Sequence, residues 1–93
     1  MTREIIVQIL EAEGAKVTGS SCIIREDREV TCFISAPGDV LPVARIIKVE
    51  LKDKSLSFET AKDERFHFAY EDILGFKLAT TGPAKDRAAG FGR

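Results

Sequence analysis

The chain has no Trp, one His, one Met, one Tyr, two Cys and three Pro in 93 residues. A structural zinc site draws on about four Cys or His ligands at characteristic spacings, and Cys22, Cys32 and the distant His67 fall short of that. No apolar run approaches the ~18–20 residues that span a bilayer. An excess of one charge is missing too. Fourteen Lys plus Arg against fifteen Asp plus Glu leave a net charge of -1, which disfavours strong non-specific attraction to nucleic acid or anionic lipid. The sequence contains no Gly-x-Ser-x-Gly, His-Glu-x-x-His, Walker-type or Gly-x-Gly-x-x-Gly motif. His67 alone has a side chain that ordinarily titrates near neutrality, and its neighbours Phe66 and Phe68 place it on the wet side of a strand. The acidic pairs Asp63-Glu64 and Glu71-Asp72 fall in expected turns, where water screens them. These gaps predict a chain with no cofactor, no metal and no catalytic activity.

What is present suffices for one small domain. Apolar residues make up 44% of the chain, at a mean hydropathy of -0.05, enough for a compact core and too much for a disordered chain. Near the N-terminus, Gln8 and Glu11 interrupt the apolar stretch Ile5-Ile6-Val7. A secretory leader needs a longer apolar segment, so the expected setting is intracellular, specifically cytoplasmic, with reduced thiols.

Residues 3–13 admit two readings. Ile5, Ile6, Ile9 and Leu10 form a helical stripe, with Thr2 placed as N-cap and Gly14 where a helix-ending glycine belongs. The β-branched run Ile5-Ile6-Val7 also suits a strand; the start and stop signals favour the helix. Residues 16–24 and 29–35 read as a first hairpin around the charged block Arg25-Glu26-Asp27-Arg28-Glu29. A turn centred on Asp27 would set Cys22 opposite Cys32, where a strained cross-strand disulfide is sterically conceivable. Residues 35–39 read as a loop, with Pro37-Gly38 suited to the centre of a type II turn.

From Val43 to Lys52 the chain alternates. Ile47, Val49 and Leu51 share one face, and Lys48, Glu50 and Lys52 the other. A two-residue turn at Asp53-Lys54 then sets Leu51 opposite Leu56 and Val49 opposite Phe58, with Ser55, Ser57 and Glu59 on the wet side. A charged turn at Lys62-Asp63-Glu64-Arg65 precedes Phe66, Phe68 and Tyr70. Residues 71–74 suit a short helical turn, and residues 75–78 a last strand with a bend or bulge at Gly75. From residue 80 on, periodicity stops, and a disordered tail over 80–93 is expected beyond a domain spanning 1–79.

These elements predict an α+β chain, mainly antiparallel β. One N-terminal helix precedes a five- to six-stranded meander that curls into a partly open barrel or is covered by the helix. The order of helix, meander, Tyr70-Glu71-Asp72-Ile73 turn and last short strand resembles the layout of SH3-type barrels, Sm-like ones included, and of barrels of pleckstrin-homology type. The Asp53-Lys54 turn lacks the Asn-Gly signature of Sm-type proteins, so the resemblance is one of layout and carries no functional residue across.

Three kinds of binding are expected from such a domain. The first is a non-catalytic interaction module that binds a protein or a second copy of itself. Its candidate association surface is Ile5, Ile6, Ile9 and Leu10, which exceed one helix stripe, together with Phe76 on a strand that can stay open. The second is weak single-strand nucleic-acid binding through Arg45, Lys48, Lys52 and Lys54 of the middle hairpin and Lys85, Arg87 and Arg93 of the tail. Glu50, Asp53 and Glu59 interleave with the first set, as on an ordinary solvated face. The third is a small anionic ligand held by Arg25, Arg28 or Arg45.

Overall fold

A computed structural model describes residues 1–80. Helix α1 (Arg3–Ala12) is followed by β1 (Lys16–Thr18), β2 (Ser21–Ile23), β3 (Arg28–Ala36), β4 (Asp39–Leu51), β5 (Ser55–Thr60), β6 (Arg65–Ala69), a 3-10 turn (Tyr70–Asp72) and β7 (Ile73–Thr80). The strands form one antiparallel sheet that curls into a half-barrel, the partly open architecture expected. No helix among the described residues is long and apolar enough to cross a membrane. The expected tail lies outside the described residues, apart from Thr80, which ends β7.

Residues 3–12 are helical because both ends are capped by their own sequence. The Thr2 hydroxyl accepts a hydrogen bond from the Ile5 N–H at 3.3 Å, satisfying one of the orphan donors of the first turn. At the other end the Gly14 N–H donates to the Glu11 carbonyl and the Ala15 N–H to the Leu10 carbonyl, each at 3.0 Å. That pair of bonds is a Schellman motif, and it requires the left-handed backbone that Gly14 adopts at φ +89°. Ile6 and Leu10 are fully buried, so the helix plugs the concave face of the sheet. Ile5 remains exposed, and Val7 and Ile9 are half-buried.

The hairpin of β4 and β5 has the expected register. Leu51 stands opposite Leu56 and Val49 opposite Phe58, and all four side chains are buried. Phe58 is 0% exposed. Its ring meets Phe68 at a centroid distance of 5.9 Å and Phe76 edge-on at 6.4 Å, so it joins β5, β6 and β7 across the core. Phe66, Phe68 and Phe76 are half-buried around it, and His67 points outward and is exposed. Ser57, expected on the wet face, is buried at 7%. Its strand is flanked on both sides, by Glu50 and His67, and a side chain so small is covered by longer neighbours.

The expected first hairpin does not form. β2 pairs with β1 on one side and with β4 on the other, and β3 pairs with β4 and β7. Ile46 faces Val30 on one flank and Thr60 on the other, while Val49 faces Cys22 and Phe58. β2 and β3 therefore lie end to end along the same flank of β4. The charged block between them does not reverse the chain; it loops out of one interrupted strand and rejoins it. The Ile24 N–H still donates to the Ile47 carbonyl at 3.0 Å, and the Arg28 N–H closes the loop on the Arg25 carbonyl at 3.1 Å. Cys22 accordingly faces Val49, Cys32 faces Val43 and Phe76, and both thiols are free and buried.

β4 is longer than expected and bulged. Ala36 pairs with Asp39, so the 35–39 loop shrinks to a two-residue turn in which Gly38 takes φ +72°. From Val30 to Cys32 in β3 the partner strand runs from Ile46 to Val43, which leaves one residue extra in β4. On the other flank, Ile46 pairs with Thr60 and Lys48 with Glu59, leaving Ile47 extra. Ile46 takes the core place expected for Ile47, which is 43% exposed. Among the described residues, the outer flank of β4 carries no strand before Arg45, whose carbonyl accepts the Ala61 N–H at 2.9 Å. Along that free stretch the Val40 N–H is taken by the Asp39 carboxylate at 2.7 Å, and Pro42 has no N–H to offer. In β7, the step from Phe33 to Ile34 matches Gly75 to Ile73, so a bulge stands beside Gly75 as expected. The helical turn ends at Asp72, and Ile73 and Leu74 belong to the strand.

Replacing Phe58 by Ala is expected to cost about 3–5 kcal/mol in urea denaturation, and replacing His67 by Ala no more than about 0.5 kcal/mol; reversed magnitudes would invert the faces of β5 and β6. Burial pushes the Cys32 thiol up to about 12. Burial also raises Cys22, with Glu11 adding to it and Arg3 opposing. Above the ordinary value of 9.0 the unfolded chain gives up these protons while the folded chain keeps them, so stability falls as pH rises. The denaturation midpoint should drop more steeply between pH 9 and pH 12 in the parent chain than in Cys32→Ala. At pH 8 a bulky thiol reagent should label neither cysteine until denaturant is added.

Candidate functional site

The two bulges of β4 and the 24–29 loop meet on one side of the molecule. Between them lies a groove with a cavity of about 200 Å³ lined by Glu26, Arg28, Glu29, Arg45, Ile46, Ile47 and Ala61. It continues into a recess of about 420 Å³ that adds Ile23, Ile24, Arg25, Lys48 and Glu59. Ile23 is 45% exposed and Ile47 43%. Ile23 stands opposite Lys48 on the outer face of the sheet, and the bulge turns Ile47 outward beside it.

The loop is anchored at its base. The Arg28 guanidinium donates from Nε to the Glu13 carbonyl at 3.5 Å and from a terminal nitrogen to the Thr80 hydroxyl at 3.0 Å. It thus ties the loop to the helix end and to β7. The Arg25 stem lies against Gly14, where an added Cβ would meet Arg25 Cδ at 2.8 Å. Arg25 also pairs with Asp27 at 2.8 Å inside the loop. Gly14 thus ends the helix and admits the arginine that holds the loop.

Arg45 has φ 58°, a left-handed conformation that costs a residue with a Cβ about 1–2 kcal/mol. Its side chain is exposed and has no ion pair among the described residues. Lys48 pairs with Glu50 at 3.5 Å and Glu59 with Arg65 at 3.2 Å, both across exposed surface, where such pairs contribute about 0–1 kcal/mol. The rim therefore alternates in sign, with Arg25, Arg28, Arg45 and Lys48 set among Glu26, Glu29 and Glu59. Among the described residues, no Ser, Thr, Cys, His or Tyr lines the groove. No group of three or more potential metal-binding side chains occurs among the described residues.

The expected contact residues separate. Arg45 and Lys48 reach the groove, together with Arg25 and Arg28. Lys52 and Lys54 sit at the far end of β4 in the β4–β5 turn, and Lys85, Arg87 and Arg93 lie outside the described residues. Of the apolar set, Ile6 and Leu10 are core residues, Ile9 and Phe76 are half-buried and Ile5 is exposed. Helix burial thus takes Ile6 and Leu10 away from any surface. Sequence reasoning missed Ile23 and Ile47, because only the bulge and the end-to-end strands turn them to solvent. A larger recess of about 580 Å³ at the start of the helix is lined by Met1, Thr2, Arg3, Glu4, Asp53, Tyr70 and Glu71. There the terminal ammonium donates to the Tyr70 carbonyl at 2.9 Å, and the Tyr70 hydroxyl donates to the Lys52 carbonyl. None of the most exposed apolar side chains lines it.

Arg45→Gly should raise stability by about 1 kcal/mol, because glycine adopts this backbone without the Cβ penalty; urea denaturation reads the gain, and a loss would mean that the Arg45 side chain itself holds the bulge. No protein-family model matches this chain, and no curated protein or solved structure shows significant similarity to it.

Proposed function

We propose that this chain is a non-catalytic interaction module that binds protein through the groove between the 24–29 loop and the bulged part of β4. The observation that carries the reading is the exposed pair Ile23 and Ile47 inside a rim of both charge signs. An apolar centre bordered by polar groups is the anatomy of a protein–protein interface. A nucleic-acid surface would need charge of one sign along a track. Here Glu26, Glu29 and Glu59 interrupt the basic residues, and Lys52 and Lys54 are displaced to the other end of β4. The same carboxylates oppose a small anion at Arg28 and Arg45. The described lining carries no hydroxyl, thiol or imidazole, which supports binding rather than chemistry.

The test is a set of immobilised baits presented to host extract and read by quantitative mass spectrometry. Proteins retained by the parent chain should fall at least about tenfold on Ile47→Glu, as for loss of a central interface residue. They should be unchanged on Lys77→Glu, which alters an exposed residue of β7. Equal retention by all three baits would overturn the reading. Oligonucleotide binding at low salt that Arg45→Glu abolishes would replace it with the nucleic-acid one.

A further inference from the structure

We infer that Arg45 sets the specificity of the groove, and that its partner is a peptide segment presenting an Asp or Glu carboxylate beside an apolar side chain; the inference rests on the reading of the groove as a protein-binding surface. Most charges around the groove are already answered within the chain. Arg25 pairs with Asp27, Lys48 with Glu50 and Glu59 with Arg65. Arg28 donates to the Glu13 carbonyl and the Thr80 hydroxyl, and Glu26 is engaged as well. Arg45 is the one cation of the lining whose side chain has neither a hydrogen bond nor an ion pair among the described residues.

The backbone at Arg45 gives a second, independent reason. Its φ of 58° is one that glycine adopts freely and a residue with a Cβ does not. The other left-handed positions carry Gly14, Gly19 and Gly38 or, at Asp63, a residue type that tolerates this conformation. Neither burial nor an intrachain bond holds the Arg45 side chain in its place. An arginine kept against local strain, at the centre of an exposed groove, points to use of the guanidinium itself.

The surroundings of Arg45 state what it takes. A planar guanidinium matches a carboxylate with two parallel N–H···O bonds. Ile47, two residues along the strand, and Ile23 beside it offer apolar contact to the neighbouring side chain of the same segment. Glu29, half-buried in the same lining, has no ion pair among the described residues. Its carboxylate would repel an acidic run, a phosphate or a nucleic-acid backbone. A single carboxylate on an apolar segment is the complement of the charge that is left over.

Selection from a library of random peptides on the immobilised full chain reads the outcome. The peptides are displayed with their C-termini joined to the carrier, so side chains supply the carboxylates. Those retained by the parent should carry Asp or Glu next to Leu, Ile, Val or Phe well above the frequency in the library. A synthetic, C-terminally amidated peptide of the enriched sequence should bind Arg45→Gln at least about tenfold more weakly than the parent, as for loss of one charged hydrogen-bond partner. Arg45→Lys should fall between the two. Arg45→Gly should bind as poorly as Arg45→Gln while unfolding at a higher urea concentration than the parent, a split that a merely structural role would not produce. Enrichment without an acidic residue overturns the inference. So does an enriched peptide that binds Arg45→Gln and Arg45→Gly as it binds the parent. If such peptides are nevertheless lost on Ile47→Glu, the groove takes protein and only the role of Arg45 falls. If no peptide is retained beyond what Ile47→Glu retains, the inference falls, and the groove reading falls with it when the baits in host extract also fail to separate Ile47→Glu from Lys77→Glu.

Discussion

β4 must satisfy several neighbours at once. Along one flank it meets β3 and then β2, along the other it meets β5, and its residues cannot serve both flanks in one unbroken register. An extra residue opposite β3 and another opposite β5 resolve the conflict. Bulges of this kind sharpen the local twist and re-aim side chains. They let Val43, Ile46, Val49 and Leu51 all reach the core although their spacing is uneven. The cost is concentrated at Arg45, whose backbone takes the left-handed conformation. The outcome is a sheet that bends far enough for a ten-residue helix to fill its hollow.

Packing and surface are linked through that bend. Straightening β4 would return Ile47 to the inner face and remove the apolar floor of the groove. The helix end makes a second link. Glu13 supplies the carbonyl, and Gly14 the clearance, that hold Arg28 and Arg25. The loop, the helix terminus and β7 are therefore tied at one corner of the molecule, and the groove lies beside it.

The sequence disclosed elements whose signals are local. Thr2 and Gly14 mark the helix, alternation from Val49 to Phe58 sets the β4–β5 register, and Pro37-Gly38 marks a tight turn. It concealed what depends on partners distant in the chain. The charged block 25–29 has the composition of a hairpin turn, yet β2 and β3 both prefer β4, whose Val49, Ile46 and Val43 complement Cys22, Val30 and Cys32. Period-two alternation assigned Ile47 to the core, because a bulge at a non-glycine residue leaves no mark in composition. The groove inherits both omissions: Arg45 and Lys48 were legible as exposed cations, while Ile23 and Ile47 were not.

The β3–β4 hairpin tip displays Val40 and Leu41, each 46% exposed, on a stretch of β4 whose outer flank has no neighbouring strand among the described residues. Bare apolar strands of this kind template fibrils when every amide donor stands ready for the next chain. Here one donor is spent on Asp39 and another is deleted by Pro42, so an incoming strand would find mostly carbonyls along that stretch. The tip can stay greasy in concentrated solution without seeding cross-β growth.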